Sequence, residues 1–113
     1  MLKRKHRLAK QTEVRLTFAK GRGFFSPYFL AKFLKTSADA TPRFTVVVST
    51  KVSKKAVDRN RQKRIVREIL RLNLSKFRPG DYIISLKPAS KKLSAGQLRE
   101  ELLKLLKTTK LIS

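Results

Sequence analysis

Residues 51–72 read KVSKKAVDRNRQKRIVREILRL, a helical stretch set between two β-branched runs. Nine of the twenty-one residues from Lys51 to Arg71 are Lys or Arg, interrupted only by Asp58 and Glu68 among the acids. On a helix turning 100° per residue, Asn60, Lys63, Arg64, Arg67 and Arg71 fall at i, i+3, i+4, i+7 and i+11 and share one narrow face. Ile65, Val66, Ile69 and Leu72 fall roughly opposite, the stripe a helix needs to dock on a core. Like charges at i, i+4, as in Lys63 with Arg67 and Arg67 with Arg71, weaken an isolated helix by a few tenths of a kcal/mol each. A helix that concentrates them presents its charge to a polyanion, whereas a merely solvated face usually mixes signs.

Working outward, Phe44-Thr45-Val46-Val47-Val48-Ser49 reads as a central strand ahead of the helix. Behind it, Arg78-Pro79-Gly80-Asp81 has the chemistry of a tight turn delivering a strand over Tyr82-Ile83-Ile84-Ser85-Leu86. Pro88 ends that strand. Ser94 with Gln97 forms a capping box that opens a last helix carrying Leu98, Leu102 and Leu105, with Leu103 and Leu106 beside them. Toward the N-terminus, Tyr28 to Leu34 alternates as a strand, Phe29, Ala31 and Phe33 on one face and Tyr28, Leu30, Lys32 and Leu34 on the other. Gly23 and Pro27 bracket a loop or short first strand through Phe24 and Phe25. A short helix from Thr12 carries Val14 and Phe18 on one face and stops at Gly21 in a left-handed conformation. Lys35 to Pro42 is a surface connection. The order helix, strands, helix, strand, helix, without internal repeat or linker, predicts an α+β chain forming one two-layer α/β sandwich over residues 1–113. Residues Met1 to Lys10 form a basic arm too charged to pack by itself.

The bulk composition narrows the function. A chain of 113 residues with 41% hydrophobic content and seven Phe can bury a core of its own. Against 29 Lys plus Arg stand seven carboxylates, giving a net charge of +22. Self-repulsion of that size is relieved by a polyanion exchanging for condensed counterions, so nucleic acid is the leading partner class. No apolar stretch reaches the eighteen or so residues of a membrane-spanning helix, which argues against a membrane partner. The basic start is not followed by an apolar run and does not read as a signal peptide. With no cysteine and one histidine, disulfides and thiolate metal sites are excluded, and a cytoplasmic setting is compatible.

Protein-based nucleases need clustered carboxylates for metal ions or paired histidines for proton transfer. Glu13, Asp39, Asp58, Glu68, Asp81, Glu100 and Glu101 are scattered over different elements. His6 stands alone in the arm, where a phosphate or solvent contact is expected of it. No catalytic residue and no metal ligand is assigned, and the chain reads as a binder. Bases of a single strand stack on aromatic rings. Val14, Phe18 and Tyr28 are therefore placed along a groove between the first helix and the sheet, with Lys32 supplying charge, while Phe29 and Phe33 read as core.

The block Lys54-Lys55-Ala56-Val57-Asp58-Arg59-Asn60-Arg61-Gln62-Lys63-Arg64-Ile65-Val66-Arg67-Glu68 resembles the arginine-rich motif of the bacterial ribonuclease P protein subunit family. The resemblance extends upstream to Arg43-Phe44 and Val46-Val47-Val48-Ser49-Thr50-Lys51, downstream to Gly80-Asp81-Tyr82-Ile83-Ile84, and near the start to Arg7-Leu8 and the Val14, Phe18 and Gly21 pattern. It implies a left-handed strand-helix-strand crossover, an exception to the usual hand. It implies a chain that binds a catalytic RNA one to one and promotes endonucleolytic removal of the 5′ leader of precursor tRNA, with magnesium held mainly by the RNA. Carried over by position, Lys51, Lys54, Lys55, Arg59, Asn60, Arg61, Lys63, Arg64 and Arg67 face that RNA, joined by Arg71 and Arg7. Val14, Phe18, Lys32 and Leu86 line the leader cleft. Thr50, Thr45, Val14 and Leu86-Lys87 depart from the family's usual residues. A small structural ribonucleoprotein component such as a ribosomal protein is the alternative, and a sequence-neutral DNA compactor a third reading.

Overall fold

The structure, a computed structural model, describes residues 2–37 and 40–112. Three α-helices, α1 (Gln11–Lys20), α2 (Ala56–Leu72) and α3 (Ala95–Thr108), accompany four strands, β1 (Arg22–Phe25), β2 (Phe29–Lys35), β3 (Arg43–Val48) and β4 (Gly80–Leu86). The strands form one sheet in the order β1-β2-β4-β3. β1 with β2 and β2 with β4 run antiparallel, and β3 runs parallel to β4 with α2 as the crossover between them. Of the connection expected over Lys35–Pro42, Ala38 and Asp39 lie outside the described residues, as do Met1 and Ser113.

Period-two alternation sorts the sheet into two faces. Phe29, Ala31 and Phe33 of β2 are buried while Leu30, Lys32 and Leu34 are half-buried, as the sequence predicts. Their register partners Leu86, Ile84 and Tyr82, with Phe44, Val46 and Val48 of β3, complete a core face covered by Val66, Ile69 and Leu70 of α2 and Leu98, Leu102, Leu105 and Leu106 of α3. At its centre Phe33, Phe44 and Phe77 surround Tyr82, with ring centroids 4.9, 5.1 and 5.3 Å from it. The Tyr82 hydroxyl donates to the Arg78 carbonyl at 2.5 Å, and burial pushes its phenol well above the usual value. The capping box at Ser94 and Gln97 is made in both directions, at 3.2 and 2.9 Å. On the opposite face lies α1, across β2 and β4.

Several expectations are corrected. The buried stripe of α2 is Gln62, Val66, Ile69 and Leu70, and Leu72 is 59% exposed. The stripe turns about 100° away from Leu72 by the last helical turn, because 3.6 residues per turn carries Leu70 and then Asn73 onto the core instead. β4 begins at Gly80, two residues before the expected strand, so Gly80 sits in the ladder opposite Lys35. Gly21 is not left-handed: its φ of −71° and ψ of 155° suit any residue. Its reason is space. A Cβ there would overlap the Thr17 carbonyl oxygen and sit 3.0 Å from the Phe33 carbonyl oxygen, both rigid backbone. Gly21→Ala is therefore expected to lift α1 off the sheet and cost about 1–3 kcal/mol in urea unfolding, the range for overpacking; a loss under a few tenths would show that the helix end moves freely.

The arm also folds. Leu2, His6 and Leu8 are buried while Lys3, Arg4, Lys5 and Arg7 stay exposed. The Leu8 amide donates to the Phe44 carbonyl at 2.8 Å, the Thr45 hydroxyl donates to the Leu8 carbonyl, and Arg7 bridges Phe44 in parallel. The segment thus covers the outer edge of β3, which an exposed strand edge requires. His6 is 6% exposed and lies 2.9 Å through Nδ1 from the Pro42 carbonyl, so it packs into the arm's seat instead of facing solvent.

Candidate RNA-binding surfaces

Two surfaces follow from this fold, one on each side of the sheet. Along α2, Asn60, Arg61, Arg64 and Arg71 are exposed and Lys63 and Arg67 half-buried, on the side away from Gln62, Val66, Ile69 and Leu70. The predicted cationic face is therefore assembled. Its members are not equivalent. Arg71 is held by Glu68, and that guanidinium's hydrogen bonds keep the Glu68 carboxyl well below the usual carboxylate range. Arg59 is half-buried, and its Nη1 donates to the Ser53 carbonyl at 2.9 Å.

Ser53 is a residue that the charge pattern could not single out. Buried, it donates its hydroxyl to Asp58 at 3.0 Å, accepts the Lys55 amide at 3.3 Å, and offers its carbonyl to Arg59. These bonds hold the turn before α2 so that Lys51, Lys54 and Lys55 project, all exposed, around a hollow of about 540 Å³ that Lys91 also lines. Arg7 is exposed on the far edge of β3, with its Nε donating to the Leu2 carbonyl at 3.2 Å.

On the other face α1 and the sheet form a cleft. Phe18 is 54% exposed, Val14 and Lys32 are half-buried, and the Lys32 ammonium lies 5.2 Å from the Phe18 ring centroid. Thr17, fully buried, seats α1 on the sheet, and its hydroxyl donates to the Glu13 carbonyl at 2.9 Å. The rest of the seat is ionic. Arg43 of β3 donates to both Asp81 oxygens of β4 at 2.9 Å, and to Glu13 of α1 at 2.7 and 3.3 Å. Hydrogen bonding from Arg43 holds the Glu13 carboxyl below its usual range.

Two expected cleft residues lie elsewhere. Leu86 pairs with Phe29 on the core face and is 3% exposed, so alternation turns it away from Lys32. Tyr28, just ahead of β2, is half-buried against the helix-side core, with the Ser26 hydroxyl accepting its amide at 3.2 Å. Beyond the cleft the same sheet face carries Phe25, which the sequence leaves in a loop or short strand, and Lys87, noted there only as a departure from the family's usual residues. Phe25 pairs with Leu30, and the Lys87 ammonium lies 5.4 Å from its ring.

Among the described residues no three His, Cys, Asp or Glu side chains gather where they could hold a metal ion, and no helix is long and apolar enough to cross a membrane. A cationic helix on one side of an α+β sandwich and an aromatic cleft on the other define the class, a small RNA-binding protein. The family described as Ribonuclease P matches residues 2–110, and the chain belongs to it, as the protein component of an endoribonuclease that works with an RNA subunit. It is 38% identical over 112 residues to the ribonuclease P protein component of Exiguobacterium sp., covering 96% of this chain and 94% of that one. With the Pseudanabaena sp. component it shares 33% over 113 residues, covering 99% and 97%. The RNase P protein of Thermotoga maritima superposes with a TM-score of 0.80 at 32% identity, covering 90% of this chain and 96% of that one. That of Staphylococcus aureus superposes at 0.89 with 24% identity, covering 96% and 98%, a likeness of fold.

Proposed function

We propose that this chain binds the catalytic RNA of ribonuclease P one to one through α2 and the turn before it, and holds the single-stranded 5′ leader of precursor tRNA in the cleft under α1. The carrying observation is the separation of the two surfaces. The helix face is almost purely cationic, suited to phosphates that are structured elsewhere, whereas the cleft pairs an exposed aromatic ring with one ammonium, suited to an unpaired base and its phosphate. Binding both RNAs on one rigid sheet raises the affinity of the assembly for a substrate that carries a leader.

The chain supplies no reacting group in this reading. Its described carboxylates do not gather for magnesium: Glu13 and Asp81 are engaged by Arg43, Glu68 by Arg71 and Asp58 by Ser53, and Glu100 and Glu101 stand apart from them on α3. The ions belong on RNA phosphates, and cleavage belongs to the RNA. The setting is the cytoplasm, where precursor tRNA is processed.

Reconstitution tests this. Mixed with a catalytic RNA and precursor tRNA at low magnesium, the chain is expected to raise leader release above that of RNA alone; no increase would overturn the proposal. Phe18→Ala should weaken binding of precursor tRNA about 10-fold, consistent with about 1–3 kcal/mol per stacked base. Mature tRNA, which has no leader, should bind as before. Equal losses on both substrates would place Phe18 in the fold instead of at the leader.

A further inference from the structure

We infer that Phe25 and Lys87 form a second single-strand subsite beside the cleft, in which an unpaired leader base stacks on the Phe25 ring and Lys87 meets its phosphate. This rests on the leader-binding reading above and extends it to residues outside the cleft.

The register places the two stations on one surface. Gly23 of β1 pairs with Lys32 and Phe25 pairs with Leu30, so Phe25 projects from the face on which Lys32 meets Phe18. Lys87 follows Leu86, and its amide donates to the Tyr28 carbonyl at 2.9 Å. Alternation therefore turns Lys87 to the side opposite Leu86, which is the side of Phe25. Two residues of β1 separate the row of Lys32 from that of Phe25, about 7 Å along the strand. Half-buried Leu30, the cross-strand partner of Phe25, lies beside it in the same row as an apolar floor. A strand crossing from Phe18 to Phe25 thus meets one ring beside Lys32 and a second ring beside Leu30, with an ammonium at each ring.

Phe25 remains 68% exposed with the Lys87 ammonium over it. It stands on β1, an edge strand of the sheet, where an idle exposed aromatic invites strand pairing with another chain. A ring left open beside a cation is what base stacking uses.

The test uses the chain reconstituted with catalytic RNA and precursor tRNAs of graded leader length, with a single abasic nucleotide walked along the longest leader. The wild-type assembly is expected to weaken at two separate abasic positions. Phe18→Ala should abolish the sensitivity at one position and Phe25→Ala at the other. Phe25→Ala should also remove a roughly 5- to 10-fold gain in affinity on lengthening the leader, and Phe25→Tyr should restore it. Lys87→Ala should lower the salt slope by about 0.7, the value for one single-strand phosphate, and Lys87→Arg should recover it. One sensitive position, unaffected by Phe25→Ala, overturns the subsite and leaves the cleft standing. No dependence on leader length in the wild type overturns both. Self-association abolished by Phe25→Ala with RNA binding unchanged would assign the ring to a protein contact and overturn the subsite.

Discussion

Replacing Lys63, Arg64 and Arg67 together by alanine is expected to weaken binding to the catalytic RNA by on the order of 10²- to 10³-fold at 0.1 M salt. The slope of log affinity against log salt should fall by about 2.7. Each phosphate contact on duplex RNA releases about 0.9 counterion, roughly 1.2 kcal/mol per contact at that salt, and three are lost. Among the described residues these three make no hydrogen bond within the chain, unlike Arg71, which is held by Glu68, and Arg59, which donates to the Ser53 carbonyl. Stability should move little. Alanine is the best helix former, and removing the Lys63 and Arg67 repulsion relieves α2 by a few tenths of a kcal/mol. Filter binding across a salt series checks the first claim and urea unfolding the second. An unchanged salt slope would remove α2 from the RNA interface; a large fall in stability would mean that the side chains pack instead of bind.

The cationic face of α2 was legible because it depends on one number, the helical repeat, applied over seventeen residues. The alternation of β2 and the capping box of α3 were legible for the same reason: each is a local rule. What escaped the sequence is set by contact between distant segments. The arm reads as all charge because Leu2, His6 and Leu8 are scattered among five Lys and Arg residues, and only the edge of β3 reveals that they share a side. Gly21 signals a helix end, yet the need for glycine comes from the Phe33 carbonyl twelve residues on. Phe25 reads as part of a loop or short strand, and only its register with Leu30 places it on the face of the cleft. Leu86 was assigned to the cleft by resemblance of position, and the period-two rule counted from Tyr82 already points it inward.

The least legible feature carries the last expectation: Arg43→Ala should destabilise the chain by about 3 kcal/mol and disable the cleft more than the helix. Arg43 reaches Glu13 thirty residues before it and Asp81 thirty-eight after, tying α1, β3 and β4 together. Asp81 is 5% exposed, so removing the guanidinium strands a buried carboxylate. Breaking such a pair costs about 3–5 kcal/mol, and the lower end applies because the Arg43 side chain keeps 30% exposure. If the cost comes from the stranded charge, adding Asp81→Asn should recover most of it, since a neutral amide is far cheaper to bury. Failure of the double variant to recover would mean that the loss is packing. The acid side gives an independent check. Glu13 is held below its usual range by Arg43, so its contribution is present above the ordinary carboxylate value and is lost as pH falls through the lowered one. In Arg43→Ala that part of the acid dependence should flatten. Because the same residue fixes α1 over Lys32, leader affinity should fall further than affinity for the catalytic RNA, whose proposed surface, α2, lies on the other side of the sheet. Equal losses for both RNAs would show that the variant had simply unfolded, and circular dichroism at the assay temperature separates the two cases.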